Sequence, residues 1–287
     1  MVNFLKYKII YFLISLTVIG VGLFSILRWG FRFSIDFVGG TNLEYQTERN
    51  VSKQEVKKIL EKEKIDFSYL LVRNKNIFLR SKPLEDKKIN DLKKVLEKNL
   101  KTKLEVIRSE TVGPSVSGEN LKKTITACFL AVLGILVYMS FAFKGFDYAL
   151  AAVLAMIHDF LVVLGSYSLI SHFYGAEVDT LFITAVLTTM SFSVHDTIVI
   201  FDKIREYLQA EGKKDIEYFA NKALTETMVR SINNSMTIIF MLLALVLLGG
   251  STIRFFALTL LIGTITGTYS SPFVATPILV WFEKRKK

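Results

Sequence analysis

Two His-Asp pairs stand where ionisable groups are expensive. His195 and Asp196 lie inside Ser191 to Glu206, which reads SFSVHDTIVIFDKIRE and continues an apolar run that begins near Leu181. His158 and Asp159 interrupt ALAAVLAMIHDFLVVLG, a run otherwise apolar and rich in small residues. In hydrocarbon each such charge costs on the order of 2.5–3.5 kcal/mol on insertion scales, so it persists where it faces a bundle interior or a water-filled path. Arg230 is the third candidate, leading into Ser231, Asn233, Asn234, Ser235 and Thr237. The chemistry these types suggest is proton carriage. A nearby arginine and apolar surroundings pull a carboxyl's proton equilibrium in opposite directions, so a small rearrangement around Asp196 could move a proton on or off. One charge crossing the membrane carries about 2.3 kcal/mol per 100 mV. A purely structural role, in which Asp196 only caps or pairs internally, stays open at this level.

Other chemistries find little support. His158 and His195 belong to no H-E-x-x-H pattern, and beyond Asp159 and Asp196 no third strong ligand stands at suitable spacing, which argues against a metal site and an intramembrane metalloprotease. Neither aspartate has the adjacent glycine expected of a membrane aspartyl protease. No phosphate-cradling loop is present for ATP hydrolysis, and the sequence implies no cofactor. Cys128 is the only cysteine and can make no disulfide within the chain. The reading is of a protein that is not an enzyme.

The elements that must position these residues are membrane helices. Of 287 residues 51% are hydrophobic, the net charge is +10 and the mean hydropathy is +0.40, a combination rare in soluble domains. Apolar runs long enough to cross about 30 Å of hydrocarbon occur at roughly 9–28, 124–143, 148–171, 180–201, 232–249 and 254–281. The first lacks a small-residue cleavage site after Leu27-Arg28-Trp29-Gly30 and reads as an uncleaved anchor. Lys6 and Lys8, then Lys203, Arg205, Lys213, Lys214 and Lys222, then Lys284, Arg285, Lys286 and Lys287 mark the cytoplasmic side, so both termini and a loop at about 203–229 belong there. In this topology the fourth helix runs inward and the fifth outward from Arg230, which predicts that Asp196 and Arg230 meet at similar depth. Gly263 and Gly267 have the small-xxx-small spacing of close helix packing.

A lysine-rich insert, residues 31–120, is expected outside the cytoplasm. Thr41 to Thr47 has strand composition. Ser52 with Glu55 forms a capping-box pattern ahead of Val56, Ile59 and Leu60. Phe67 to Val72 and Ile77 to Arg80 predict a hairpin across Arg73-Asn74-Lys75-Asn76. Ile89, Leu92, Val95, Leu96 and Leu100 predict a second helix, and Leu104 to Ser109 a last strand. The order βαββαβ predicts a ferredoxin-like α+β domain inserted into a six-helix membrane protein. Its lysines, among them Lys57, Lys58, Lys62, Lys87, Lys88, Lys93 and Lys94, read as solvated helix faces rather than a nucleic-acid surface, since interleaved aromatics are absent. A basic face could still meet lipid headgroups. Asp36 with Gly39 and Gly40 on one side, and Gly113 with Pro114 on the other, bracket the insert as a matched pair of joints, read as a hinge.

Six stretches in order then carry a resemblance: IDFVGGTNLE at 35–44, VGPSVSGENL at 112–121, IHD at 157–159, SVHDTIVIFDKIRE at 193–206, RSINNSMT at 230–237 and GTYSSPFVATPIL at 267–279. Over nearly its full length the chain resembles the SecD/SecF family of protein-export membrane proteins, part of the RND superfamily of proton-driven transporters. By that resemblance Asp196 matches the family's membrane aspartate and Arg230 its membrane arginine, both implicated in proton transport. His195, Asp159 and His158 are further candidates for that path. The resemblance implies an auxiliary role in preprotein translocation powered by the proton gradient, and a SecD partner. It also implies association with the SecYEG translocon, with YajC and YidC as further candidates, and with the translocating preprotein and membrane lipids. One RND unit has two six-helix halves, so a partner half should bring the carboxylate that faces Asp196. Two positions depart from the pattern: His195 replaces the usual asparagine, and Pro272, where an aliphatic residue is usual, predicts a kink in the last helix. An exporter half for lipids or small molecules and a passive translocon scaffold are the competing readings.

Overall fold

The computed structural model describes residues 2–73, 75–143, 145–211 and 215–285. Asn74 of the expected asparagine turn and Lys213, Lys214, Lys286 and Lys287 of the basic segments lie outside the described residues. The chain divides into two compact units, Met1–Arg32 with Thr126–Lys287, and Phe33–Ile125.

The first unit is helical. After a 3-10 turn at Phe4–Tyr7 come α1 (Lys8–Trp29), then the body of α5 (Pro114–Phe143), α6 (Phe146–Tyr174), α7 (Thr180–Glu211), α8 (Ile216–Leu248), α9 (Ser251–Ser270) and α10 (Thr276–Arg285). Six helical segments, α9 and α10 counting as one, are long and apolar enough to cross a membrane. The burial follows side-chain size. On α6 the inward residues are largely small, Ala149, Ala151, Ala152, Ala155, Gly165, Ser168 and Ser171, which lets neighbouring backbones come close. α6, α7 and α9 make the centre of this unit, whereas most of α5 and the C-terminal half of α8 are exposed.

One expectation is corrected here, and the interruption expected at Pro272 takes the form of a π turn. The segment 203–229, expected as a loop, is helical up to Glu211 and again from Ile216. Its apolar residues keep helical spacing past the membrane-length run: Ile204 and Tyr207 on α7, and Phe219, Ala220, Ala223 and Leu224 on α8, are all buried. Arg230 consequently stands near the middle of α8 rather than at its end. The last crossing is interrupted at Pro272, where Ser271–Ala275 forms a π turn, the Thr276 N–H reaching back five residues to the Ser271 carbonyl. Proline lacks the N–H that would continue the ordinary ladder, and the widened turn absorbs the loss.

The second unit begins with α2 (Ile35–Val38), a single turn capped by Ser34, followed by β1 (Gly40–Thr47), α3 (Lys53–Lys62), β2 (Phe67–Arg73), β3 (Asn76–Ser81), α4 (Asp86–Leu100) and β4 (Leu104–Val112). The four strands form one antiparallel sheet in the order β2-β3-β1-β4. The capping box forms: Ser52 Oγ accepts from the Glu55 N–H at 3.1 Å, and the Ser52 N–H donates to Glu55 at 3.0 Å. The apolar stripes of α3 and α4 cover the sheet, with Val56, Leu60, Leu92, Leu96 and Leu100 buried against Leu43, Ile77, Leu79 and Leu104.

Tyr45 sits fully buried in this core, and its hydroxyl has no hydrogen-bond partner among the described residues. Burial, assisted by the Glu97 carboxylate, pushes its pKa up to about 12. An unfolded tyrosine titrates near 10. The folded state therefore holds the phenol neutral, and this contribution is complete below about pH 10 and lost as pH rises from about 10 to 12. Tyr45→Phe should remove that alkaline component and, by deleting an unmatched polar atom, stabilise the unit at neutral pH by about 1 kcal/mol. Denaturant unfolding of wild type and variant at neutral and alkaline pH, followed by hydrogen exchange in β1 and β3, checks both statements.

Candidate functional site

The ionisable residues of the helical unit separate into two groups. The first is interior. Asp159 is 4% exposed and His158 8%, and among the described residues they are the only buried acidic or basic side chains. His158 Nδ1 lies 2.8 Å from Asp159 Oδ1. Asp159 Oδ2 accepts from Ser193 of α7, and from Ser270 of α9 at 2.6 Å. His158 Nε2 is buried with no partner among the described residues, so the tautomer that satisfies the pair carries its proton on Nδ1 and leaves Nε2 an acceptor. A second hydroxyl layer lies one turn away: Thr197 and Ser271 share a 2.9 Å hydrogen bond, and Ser271 Oγ is 3.2 Å from the Ser193 carbonyl.

The close approach of α7 and α9 depends on the two glycines singled out by spacing. A Cβ on Gly263 would overlap the Thr189 side chain, and one on Gly267 would come within 3.1 Å of Ser193 Cα. A similar contact that the spacing of α9 gave no hint of joins α1 to α6, where Gly22 and Gly165 meet backbone to backbone. Ser25 and Ser168 share a 2.9 Å bond beside it. The signal was available on α1, whose buried small residues Ser15, Gly22 and Ser25 fall at intervals of seven and three.

The second group lies on the flank of the bundle. His195 and Arg230 are exposed, as are Asn233 and Asn234, and Asp196 is half-buried. Asp196 and His195 line a narrow cavity with Asn234, Ser235, Gly267 and Thr268, of about 10 Å³, enough for about one water molecule. Arg230 lines a different cleft, with Asp202, Glu206 and Glu226. Asp196 and Arg230, expected at similar depth, lie within electrostatic reach of each other but in separate cavities. Antiparallel packing sets Asp196 level with Asn234 and Ser235, and Arg230 about one turn away, level with Ile198, Val199 and Asp202. No ion pair or hydrogen bond joins the two among the described residues.

The joint residues come together in the inserted unit. Gly39 and Gly40 have φ of 74° and 137°, and a Cβ on Gly39 would sit 3.3 Å from the Val112 carbonyl and 3.6 Å from Pro114 Cα. The Asp36 carbonyl accepts from Asn120 Nδ2 at 3.4 Å. Gly113 has open space around it.

Six segments long and apolar enough to cross a membrane, with a buried carboxylate among them, define a polytopic membrane protein. Residues 92–285 match the family model described as protein export membrane protein SecD/SecF, C-terminal, and residues 24–51 match the SecD/SecF GG motif, which here includes Gly39 and Gly40. The protein translocase subunit SecF of Thermobaculum terrenum is 38% identical, over 99% of this chain and 95% of that protein. The SecDF subunit of Thermus thermophilus is 33% identical over 90% of this chain and 35% of its own length. A crystal structure of SecDF from Thermus thermophilus, described as a translocon-associated membrane protein, superposes with a TM-score of 0.87 at 30% identity, covering 99% of this chain. This chain spans 39% of that solved chain. It belongs to the SecD/SecF family of protein-export membrane proteins.

Proposed function

We propose that the chain is a SecF-type accessory subunit of the Sec translocase which, with a SecD-type half, uses the proton gradient to promote preprotein translocation. The observation that carries this reading is the flank itself. His195 and Arg230, both exposed, stand on α7 and α8 with the half-buried Asp196 beside them, on helices long and apolar enough to cross a membrane, where a charge facing lipid is costly. A face of this kind calls for a polar partner, and a second six-helix half bringing its own carboxylate would complete it. The relative in which SecD and SecF are named together is matched by this chain over 35% of its length, which leaves ample chain for a second six-helix half. Asp196 is read as the group that takes and releases the proton, Arg230 as the charge that biases it from one turn away, and His195 as a lining residue. The narrow cavity beside Asp196 suits a proton or a water, and is too small for a lipid or drug-sized solute.

Both termini are placed in the cytoplasm and the insert outside, from the short-loop lysine and arginine bias. The insert is read as a ferredoxin-like domain on its element order and its strand order β2-β3-β1-β4. Its glycine joints are read as the place where the domain's motion is transmitted. Preprotein translocation into inverted vesicles carrying the chain with its partner half tests the proposal. Asp196→Asn should assemble normally, keep the ATP-driven part and lose the gradient-dependent part. Full gradient stimulation in the variant would reject the proton role and favour the scaffold reading.

A further inference from the structure

The flank reading leaves Asp159 and His158 without a role, although they are buried more completely than any other charged-type side chain described. Their geometry is that of a tie between helices. Asp159 of α6 accepts from Ser193 of α7 and from Ser270 of α9 through the same oxygen, Oδ2, while Oδ1 receives His158 Nδ1. Three donors converge on a group that, as a carboxylate, only accepts. Ser193 lies three residues before Asp196, one turn along the same helix. Ser270 lies three residues after Gly267 and two after Thr268, which both line the Asp196 cavity. On the other side of Asp196, Thr197 is held by Ser271 at 2.9 Å, at the first residue of the π turn. Asp196 is thus bracketed along α7 by Ser193, tied through Asp159 to Ser270 of α9, and Thr197, tied to Ser271 of the π turn.

We infer that Asp159 is a positioning residue for Asp196: by accepting from Ser193 and Ser270 together it fixes the rotation of α7 against α9, and so the direction in which Asp196 faces the flank. The π turn belongs to the same device. Such turns recur at functional sites, and this one follows directly on Ser270 and begins with Ser271, the two serines that reach the anchors. His158 completes the acceptor's shell from its own helix and makes no direct contact with Asp196 among the described residues. The inference rests on Asp196 as the transport group, but its test reads the placement of Asp196 whether or not transport depends on it.

The test uses the full chain assembled with its partner half in native membrane vesicles, with dicyclohexylcarbodiimide as probe and mass spectrometry to read modification of Asp196. Exposed Asp202, on the same helix and outside the tie, is the internal reference. Asp159→Asn and the double variant Ser193→Ala with Ser270→Ala should each change the labelling rate of Asp196 about tenfold in the same direction, and the triple variant should add nothing, as expected for groups acting as one unit. Gradient-dependent translocation should fall in parallel while the ATP-driven part stays. Ser270→Ala alone, which removes one donor and no charge, gives an intermediate change and serves if a stronger variant fails to assemble. Labelling at the wild-type rate in Asp159→Asn, or changes that multiply in the triple variant, would overturn the inference. Altered labelling with gradient-driven transport intact in Asp196→Asn would uphold the tie and reject the proton role.

Discussion

Gly165→Val is expected to unseat α1 from α6, whereas Gly20→Val, two residues from the contact on α1, should leave the bundle as stable as wild type. An ideal Cβ on Gly165 would stand 2.5 Å from Gly22 Cα, and one on Gly22 would stand 2.8 Å from Gly165 Cα. These are distances to backbone, which cannot swing aside as a side chain can. Valine adds two further methyls, so the helices must part or shift. Separation would also stretch the Ser25–Ser168 bond and the 2.9 Å bond from Ser168 Oγ to the Gly30 carbonyl. Without a hydrophobic drive between helices in lipid, close packing and such bonds are what hold them, the latter worth about 0.6 kcal/mol each on average. With overpacking added, the loss should reach about 2–4 kcal/mol. Gly20 has nothing within 4 Å of its Cβ position and faces outward, where valine is at home in hydrocarbon. Thermal unfolding in detergent, with protease accessibility of the α1 end as a second reading, compares the two. Equal melting of both variants would mean that α1 is held by something other than this glycine contact.

What could be read in advance divides along a physical line. Length of apolar run is a one-dimensional property, and the six crossings were legible from it. So were the caps and stripes of the insert, because Ser52 with Glu55 and the three-and-four spacing of Ile89, Leu92 and Leu96 act locally. The site was legible as residue types and only partly as geometry. Asp196 and Arg230 were expected to pair because the fifth crossing was counted from its apolar run, which begins near 232. The helix itself starts at Ile216, since Phe219, Ala220, Ala223 and Leu224 find a buried face despite the charged residues between them. The one-turn offset between Arg230 and Asp196 is set by the register of α7 against α8, which the apolar runs do not encode. The Asp159 tie was out of reach for another reason. Ser193 and Ser270 announced polar faces on their helices, but which polar face meets which depends on the approach that Gly263 and Gly267 allow.

Gly40→Ala should destabilise the inserted unit by about 1–3 kcal/mol, and Gly113→Ala should leave it unchanged or slightly more stable. Gly40 has a φ of 137°, a conformation alanine reaches only with strain. Its Cβ would also stand 2.8 Å from the Ser81 carbonyl and 3.2 Å from Ile35 Cγ2. Ser81 is paired with Thr41 in the sheet, so relief would come from fraying the start of β1 where it meets β3 and β4. Gly113 meets nothing within 4 Å and its φ is open to other residues, so a methyl there mainly restricts the unfolded chain. The two joints, alike as glycine motifs in sequence, therefore differ in kind: packing requires glycine at 39 and 40 and does not require it at 113. Denaturant midpoints for both variants, with hydrogen exchange at Thr41 and Asn42, distinguish the cases. A Gly40→Ala chain that unfolds at the wild-type midpoint would show that the start of β1 relaxes without penalty, and that the glycine pair serves motion rather than close approach.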